Sequence, residues 1–414
     1  MATFTYFNGN RAFYRVDFRD FAVDEAASSN SLLVLQFKYG QSSYDPFATP
    51  WRIELDVSGL KSHKVTEGPM AGERVPIAGT ITRIRYYDDQ DNLLLRGAGL
   101  EGSVPMIAAL FDLDRGKDAW AVMMQGNHVF NGSDASGVSW QGDEIVTTRG
   151  NDTVNGNGGD DFIRDGGGRD AYFGGDGWDA LSYADYWFWD DPAGALTGIR
   201  ADLAAGTVRG PDKLTDTVSG IESIRGTHLN DTLLGDDGSN QFMGLGGNDR
   251  IDGRGGFDEV RYDRDDRFFG FDGIQANMAK GKVRDGFGNT DRILNIEAIR
   301  GTNQRDKIYD DSGNNRLRGE GGNDVLRASG GNDTLRGGEG RDQFVFVGTN
   351  FGSDIIEDFS RIDRDRIEVQ AANRMSDLSF SQEGTTAVIR LNPDSEIRVL
   401  NYHIDDFRAA DFIF

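Results

Sequence analysis

Gly319-Glu320-Gly321-Gly322-Asn323-Asp324-Val325-Leu326-Arg327 is followed without a break by Ala328-Ser329-Gly330-Gly331-Asn332-Asp333-Thr334-Leu335-Arg336, and then by Gly337-Gly338-Glu339-Gly340-Arg341-Asp342-Gln343-Phe344-Val345. Each nonapeptide has a glycine-rich first half, an Asp at position six and an apolar residue at position eight. Glycine opens backbone conformations closed to other residues, so the first half can turn and aim its carbonyls into one cleft. The residues after the Asp suit a short strand whose middle side chain points inward. Two nonapeptides make one coil of eighteen residues, so turns n and n+2 stack on the same side. A hard divalent cation between stacked turns can collect carboxylate and carbonyl oxygens from both. Without it the stacked carboxylates repel one another, which couples metal binding to folding.

The spacing extends outward in three registers. Asp143, Asp152, Asp161, Asp170 and Asp179 are nine apart, with Ile145, Val154, Ile163, Tyr172 and Leu181 two residues on. Asp231, Asn240, Asp249 and Asp258 form a second series, with Leu233, Phe242, Ile251 and Val260. Asp306, Asn315, Asp324, Asp333 and Asp342 form the third, with Ile308, Leu317, Leu326, Leu335 and Phe344. Five, four and five turns in register exceed what composition alone produces. A longer repeat of 75 residues relates Gly198-Ile199 to Gly273-Ile274, Ile221-Glu222 to Ile296-Glu297, and Gly226-Thr227 to Gly301-Thr302. Asp231 and Asp306, and Asn240 and Asn315, keep the same offset. The linkers hold strand-like pieces (198–203 and 273–278) that cap or extend the rolls. Tyr183, Tyr186, Trp187, Phe188 and Trp189 cluster in the first linker and read as a packed loop.

These residues resemble the RTX (repeats-in-toxin) family, whose unit is G-G-x-G-x-D-x-U-x. The likeness covers 138–345 directly and reaches about 370 with the linkers and closing strands. It implies a right-handed parallel β-roll, Ca2+ as the cofactor and export by type I secretion machinery. It also implies a C-terminal secretion signal, to whose acidic-then-apolar ending Asp411-Phe412-Ile413-Phe414 is similar. In the family's pairing rule an earlier turn offers the carbonyls of its second and fourth residues with its Asp. The turn eighteen residues later offers the carbonyls of its first and third residues with its own Asp.

Carried over to the first block, the rule pairs Asn157, Gly159 and Asp161 with Gly174, Asp176 and Asp179 around the turn Gly156-Asn157-Gly158-Gly159. It also places Asp143 among the ligands, and Asp152 with Asp165, Gly167 and Asp170. In the second block it pairs Thr227, Leu229 and Asp231 with Gly244, Gly246 and Asp249, and Asp236, Gly238 and Asn240 with Gly253, Gly255 and Asp258. In the third, Thr302, Gln304 and Asp306 precede Gly319, Gly321 and Asp324. Asp311, Gly313 and Asn315 precede Ala328, Gly330 and Asp333. Glu320, Gly322 and Asp324 precede Gly337, Glu339 and Asp342. The resemblance thus implies roughly eight Ca2+ ions. Asn240 and Asn315 keep an oxygen but lose a charge, which predicts weaker sites.

Residues 1–137 carry no glycine ladder. Phe4-Tyr6, Phe13-Phe18, Leu32-Tyr39, Ile53-Val57 and Thr80-Tyr87 alternate apolar and polar residues and predict antiparallel strands. Val104-Phe111 and Ala119-Met124 read as short helices. The expected chain is all-β, opening with an N-terminal β-sandwich-like domain at 1–137. Roll blocks follow at 138–182, 226–261 and 301–345, separated by linkers at 183–225 and 262–300. Closing strands and the secretion signal occupy 346–414.

Composition narrows the function. A net charge of −24 disfavours nucleic acid and anionic lipid and suits hard cations. Cysteine is absent, which removes disulfides and thiolate metal sites. No run of about 18 apolar residues exists, so no membrane insertion is expected. Met1 to Asn10 lacks the basic-then-apolar pattern of a cleavable signal, so none is expected. His63, His128, His228 and His403 are scattered outside any H-E-x-x-H, and G-x-S-x-G is absent. Asp17, Asp20, Asp24, Glu54 and Asp56 read as exposed strand positions rather than a glycosidase pair. The reading is a secreted, non-enzymatic calcium-binding protein of the cell surface, matrix or an adhesive assembly, with cell-surface polysaccharide or its own copies as partner. The alternative is a secreted hydrolase or lyase acting on polysaccharide or ester, with the repeats as export and folding module.

Overall fold

The structure is a computed structural model describing residues 2–6, 21–23, 32–37, 52–64, 74–87, 93–103, 128–131, 142–147, 149–184 and 196–414. Among them are strands and short 3-10 turns but no α-helix, in keeping with the all-β expectation. None holds a helix long and apolar enough to cross a membrane. The chain forms two compact units. One is Met1–Leu196 with Gly206–Ile221, and the other is Thr197–Ala205 with Glu222–Phe414.

The first unit opens with an antiparallel sheet. Phe21–Val23 pairs with Leu32–Phe37, which continues through Arg52–Lys64, Arg74–Tyr87 and Leu93–Ser103 to Ala2–Tyr6. The described N-terminal strands belong to this one sheet. The run Phe13-Phe18 and the two helical stretches lie outside the described residues, as do residues 185–195 of the aromatic loop. Ala2–Tyr6 then pairs in parallel with His128–Asn131, and that strand in parallel with Thr153–Gly158. The parallel stack therefore starts earlier than the glycine signal at 138: Phe130 pairs with Val154 and fills the inward position ahead of it.

Three-residue strands form because one inward apolar side chain per nonapeptide is enough to anchor each rung. In the first unit Glu144–Val146, Phe162–Arg164 and Ala180–Ser182 stack in parallel at a spacing of eighteen. Thr153–Gly158, Ala171–Asp176 and Thr215–Ser219 form the facing ladder. In the second unit one ladder aligns Ile224, Phe242, Val260, Ile299, Leu317, Leu335, Ile356 and Val399 in a single inward column. The position-eight residues of all three blocks are 0% exposed, as their spacing predicts.

The linkers do more than cap. Arg200–Asp202 and Gln275–Asn277 add rungs beside Thr232–Leu234 and Lys307–Tyr309. Ala298–Arg300 fills the gap between the second and third blocks on one ladder, so residues 226–261 and 301–345 share a continuous parallel sheet. On the other ladder the join is a hairpin, Lys282–Arg284 with Thr290–Leu294, which pairs antiparallel with Gln275–Asn277. After the repeats, Gly352–Ile356 and Arg366–Val369 continue the two ladders. Phe412–Ile413 adds a last parallel rung, and Phe359, Phe380, Tyr402, Phe407 and Phe412 close that end with packed rings. Asp411 and Phe412, read from the sequence as part of an export signal, are buried in this folded state.

Candidate metal centre

The repeat carboxylates stand in columns. Asp161 Oδ1 accepts the backbone N–H of Asp143 at 2.7 Å, and Asp179 Oδ1 accepts that of Asp161 at 2.8 Å. The same contact joins Asp152 to Asp170, Asp231 to Asp249, and Asn240 to Asp258. It joins Asp306 to Asp324, Asp324 to Asp342, and Asn315 to Asp333. One carboxylate oxygen is thereby spent on holding the coil spacing. The other oxygen is left over. Oδ2 of Asp161, Asp249, Asp258, Asp324, Asp333 and Asp342 is buried with no hydrogen-bond partner. A buried acceptor without a donor is costly, and a row of them is a row of candidate metal-ligand positions.

The glycines at position one explain how those oxygens come together. A Cβ on Gly156 would overlap both Asp161 Oδ2 and the Gly174 carbonyl oxygen. A Cβ on Gly319 would overlap Asp324 Oδ2 and lie 2.6 Å from the Gly337 carbonyl oxygen. The missing side chain leaves a cradle shared by a carboxylate and the carbonyl of the turn eighteen residues on. Position two takes positive φ even where it is not glycine, as at Asn157 (73°) and Glu320 (74°). This αL geometry reverses the turn.

Electrostatics points the same way. Burial lifts Asp324 from 3.8 to about 8; the Asp306 N–H opposes this, and the carboxylates of Asp306 and Asp342 add to it. Asp161 is lifted to about 8 and Asp258 to about 7, again by burial first. Asp342 is lifted to about 6 on the same cause. Asp249 and Asp333 are raised by burial and by the carboxylates beside them. The protein alone does not stabilise these charges; a divalent cation among them inverts the balance.

The sequence-derived ligands do not all behave alike. Asp231 and Asp306 are satisfied within their own turns. Thr227 N–H donates to Asp231 Oδ2 at 2.7 Å and Thr302 N–H to Asp306 Oδ2 at 2.6 Å, and both threonine hydroxyls also reach these carboxylates at 3.0 Å. Asn240 and Asn315 accept with Oδ1 from Asp236 and Asp311 N–H, at 2.8 and 3.3 Å. Asp236 and Asp311 in turn accept from Gly238 and Gly313 N–H. The carbonyls of Asp176 and Glu339 accept from Gly159 and Gly322 N–H, which leaves each one lone pair. Asp165 comes within 4.8 Å of Asp170 and Asp216, and the Tyr172 hydroxyl bridges Asp165 and Asp170 at 2.5 and 2.8 Å.

Several functional residues escape the nine-residue spacing. Asp216 and Asp291 take the N–H of Asp170 and Asp249, and Glu297 that of Asp258. Asp354 and Asp365 take those of Asp333 and Asp342. Asp354 Oδ2 is also buried without a partner, and burial lifts this carboxyl to about 8. Asp216 and Asp291 lie 75 apart, so the longer repeat carried a signal for them. Asp310, which holds Ser329 N–H and hydroxyl, had none.

Glycine cradles, stacked carboxylates and unpartnered inner oxygens suit a hard cation with six or more oxygen ligands. The family model for the RTX calcium-binding nonapeptide repeat (4 copies) matches residues 146–181, 225–260, 297–326 and 309–344. This is an RTX-type calcium-binding protein. The RTX match covers every column aspartate and asparagine of the three blocks except Asp143, and its cofactor is Ca2+. Among solved structures, the extracellular lipase LipA from Serratia marcescens matches with 15% identity and a TM-score of 0.19. That match covers 70% of this chain and 38% of the lipase, so the chain spans well under half of that protein's length. No curated protein matches.

Proposed function

We propose that this RTX protein is secreted through type I machinery in an extended state and folds where calcium is abundant. Its rolls then present the N-terminal sheet as a non-enzymatic element of the cell surface, matrix or an adhesive assembly. The observation that carries the calcium-driven half is the set of buried Oδ2 atoms without donors, held by carboxylates whose pKa values burial has raised. Ca2+ bound there would supply charge neutralisation and join consecutive turns. Asp161, Asp249, Asp258, Asp324, Asp333 and Asp342 would hold it with their inner oxygens, and the glycine-turn carbonyls would complete the shell. RTX repeats are typical of type I substrates, which supports the export route. The non-enzymatic reading rests on the lack of H-E-x-x-H and G-x-S-x-G in the whole sequence.

The test is a calcium titration of the full chain followed by far-UV circular dichroism. A disordered-to-β change at sub-millimolar to millimolar Ca2+, about the range of extracellular modules, is expected. The calcium-loaded protein is then offered to a glycan array and to polysaccharide and ester substrates. Binding without turnover supports the surface role. Turnover abolished by one carboxylate change within residues 1–130 would replace it with a secreted hydrolase or lyase.

A further inference from the structure

The second unit carries a line of surface charge opposite in sign to the net charge of the chain. Along one ladder Arg200, Thr232, Arg250 and Arg292 stand in register on consecutive parallel rungs. Lys282 continues the line, paired with Arg292 across the hairpin of Lys282–Arg284 and Thr290–Leu294. Neighbours along a strand point to opposite faces. Leu233, Ile251 and Ile293, each one residue on, are buried, so this column faces outward. The Arg200 and Arg250 side chains are 58% and 59% exposed, and Arg292 and Lys282 are exposed as well.

Two like-charge pairs therefore sit directly opposite each other, Arg250 with Arg292 and Arg292 with Lys282. Such pairs destabilise a sheet. The carboxylates two residues on relieve little of the repulsion. Asp202 Oδ1 accepts from the Arg254 guanidinium at 2.8 Å, and Arg200 comes only to 4.0 Å from the other oxygen. Asp252 Oδ1 accepts from Asn295 Nδ2 at 2.9 Å, and Arg250 reaches Oδ2 at 3.4 Å. Arg292 and Lys282 have no ion-pair partner among the described residues.

On the other ladder the protein largely neutralises such a column itself. Arg261, Arg300, Arg318 and Arg336 stand in register there. Asp263 takes Arg261 at 2.6 and 2.8 Å, Glu259 and Glu320 flank Arg300 at 3.5 and 3.6 Å, and Asp358 flanks Arg336 at 3.6 Å.

The spacing and the surroundings of the exposed column select its partner. Cations set at the strand separation of about 4.8 Å form a line rather than a plane, which fits a thin extended chain with repeated anionic groups. Guanidinium groups hold carboxylates with paired N–H donors. Beside the cations, Asp202 and Asp252 offer acceptors to hydroxyl groups, and Leu294, 54% exposed, offers an apolar contact. A polysaccharide with carboxylates, hydroxyl donors and C–H faces meets all three. A DNA backbone brings acceptors alone and meets the two aspartates with repulsion. An anionic lipid surface is repelled by the acidic chain around the stripe. At physiological ionic strength, charges more than about 8 Å away are largely screened, so the stripe acts locally despite the net charge of −24.

We propose that Arg200, Arg250, Arg292 and Lys282 form a binding stripe for an acidic polysaccharide, whose carboxylate-bearing chain lies across the rungs. The site belongs to the repeat unit itself and does not depend on what the N-terminal sheet contacts.

The full chain, held at one fixed Ca2+ concentration, is titrated calorimetrically with short oligogalacturonates. Dextran, single-stranded DNA and phosphatidylglycerol vesicles form the comparison arms. Arg292→Gln should weaken oligogalacturonate binding about fivefold, the worth of one good exposed ion pair. Arg250→Gln combined with Arg292→Gln should weaken it at least tenfold. Both variants relieve like-charge contacts, so their circular dichroism should match that of the parent. Arg336→Gln changes the net charge by the same amount on the other ladder and should leave binding unaltered. No binding by the parent, or equal affinity in the parent and the folded double variant, overturns the stripe. So does an equal loss in Arg336→Gln, which would make the effect one of net charge. Dextran, DNA or vesicles bound as tightly as oligogalacturonate overturn the assignment to an acidic polysaccharide. The circular dichroism recorded alongside reports calcium-driven folding separately, so failure of the stripe and failure of that folding are told apart.

Discussion

Stripped of calcium, the rolls should be stable in weak acid and unstable above neutrality, the reverse of ordinary acid denaturation. Asp324 is the worked case. It is 1% exposed, and burial lifts its carboxyl from 3.8 to about 8. Holding that carboxylate ionised costs about 6 kcal/mol, at about 1.4 kcal/mol for each pH unit. Asp354, in the same unit, is also lifted to about 8 and adds a similar amount. Two such groups cost roughly 11 kcal/mol, within the 5–15 kcal/mol that a whole domain has to spare. The folded-state pKa lies above the unfolded one, so the folded chain binds more protons between 3.8 and about 8. The stability these groups contribute is fully present below 3.8 and is lost as pH rises through about 8. Metal-free protein should therefore show β-type circular dichroism near about pH 5 and lose it by about pH 9, with Ca2+ restoring it there. Urea midpoints measured across that range, with and without Ca2+, give the magnitude. A calcium-free roll as resistant to urea at the alkaline end as at the acid end would refute the reasoning.

Two further outcomes follow from named contacts. Gly319→Ala places a methyl group in the cradle of Asp324 Oδ2 and the Gly337 carbonyl, so calorimetric titration should find one Ca2+ site lost or weakened at least tenfold, about 1.4 kcal/mol or more. Phe407→Ala removes the ring shared by Phe359, Tyr402 and Phe412, and should lower the urea stability of the calcium-loaded second unit by about 3–5 kcal/mol while leaving the ion count unchanged.

The inward residues were legible because each nonapeptide carries one apolar side chain at a fixed place: Leu317, Leu326, Leu335 and Phe344 fall where the spacing puts them. The columns were legible for the same reason, since a coil of eighteen residues sets Asp306, Asp324 and Asp342 one above another. What spacing could not reach are the column ends. Asp354 and Asp365 follow their partners by 21 and 23 residues, and Asp291 follows Asp249 by 42, because loops and hairpins are inserted between rungs there. A period search sees only uninterrupted coils, whereas the N–H of the last repeat Asp still needs an acceptor and finds it in the next rung. Thr227 and Thr302 have a further role that spacing did not show: besides the carbonyls read as ligands, their N–H and hydroxyl groups satisfy Asp231 and Asp306. The linkers were read as caps or extensions, and Ala298–Arg300 shows the extension, a rung between two blocks whose registers differ.

The central claim is that the unpartnered inner oxygens of the stacked aspartates are calcium ligands. Anomalous diffraction from crystals grown in Ca2+, or with Tb3+ in its place, tests it most directly. The account predicts peaks within about 2.3–2.6 Å of Oδ2 of Asp161, Asp249, Asp258, Asp324, Asp333 and Asp342. Ordered rolls with no anomalous peaks between the stacked turns would contradict it.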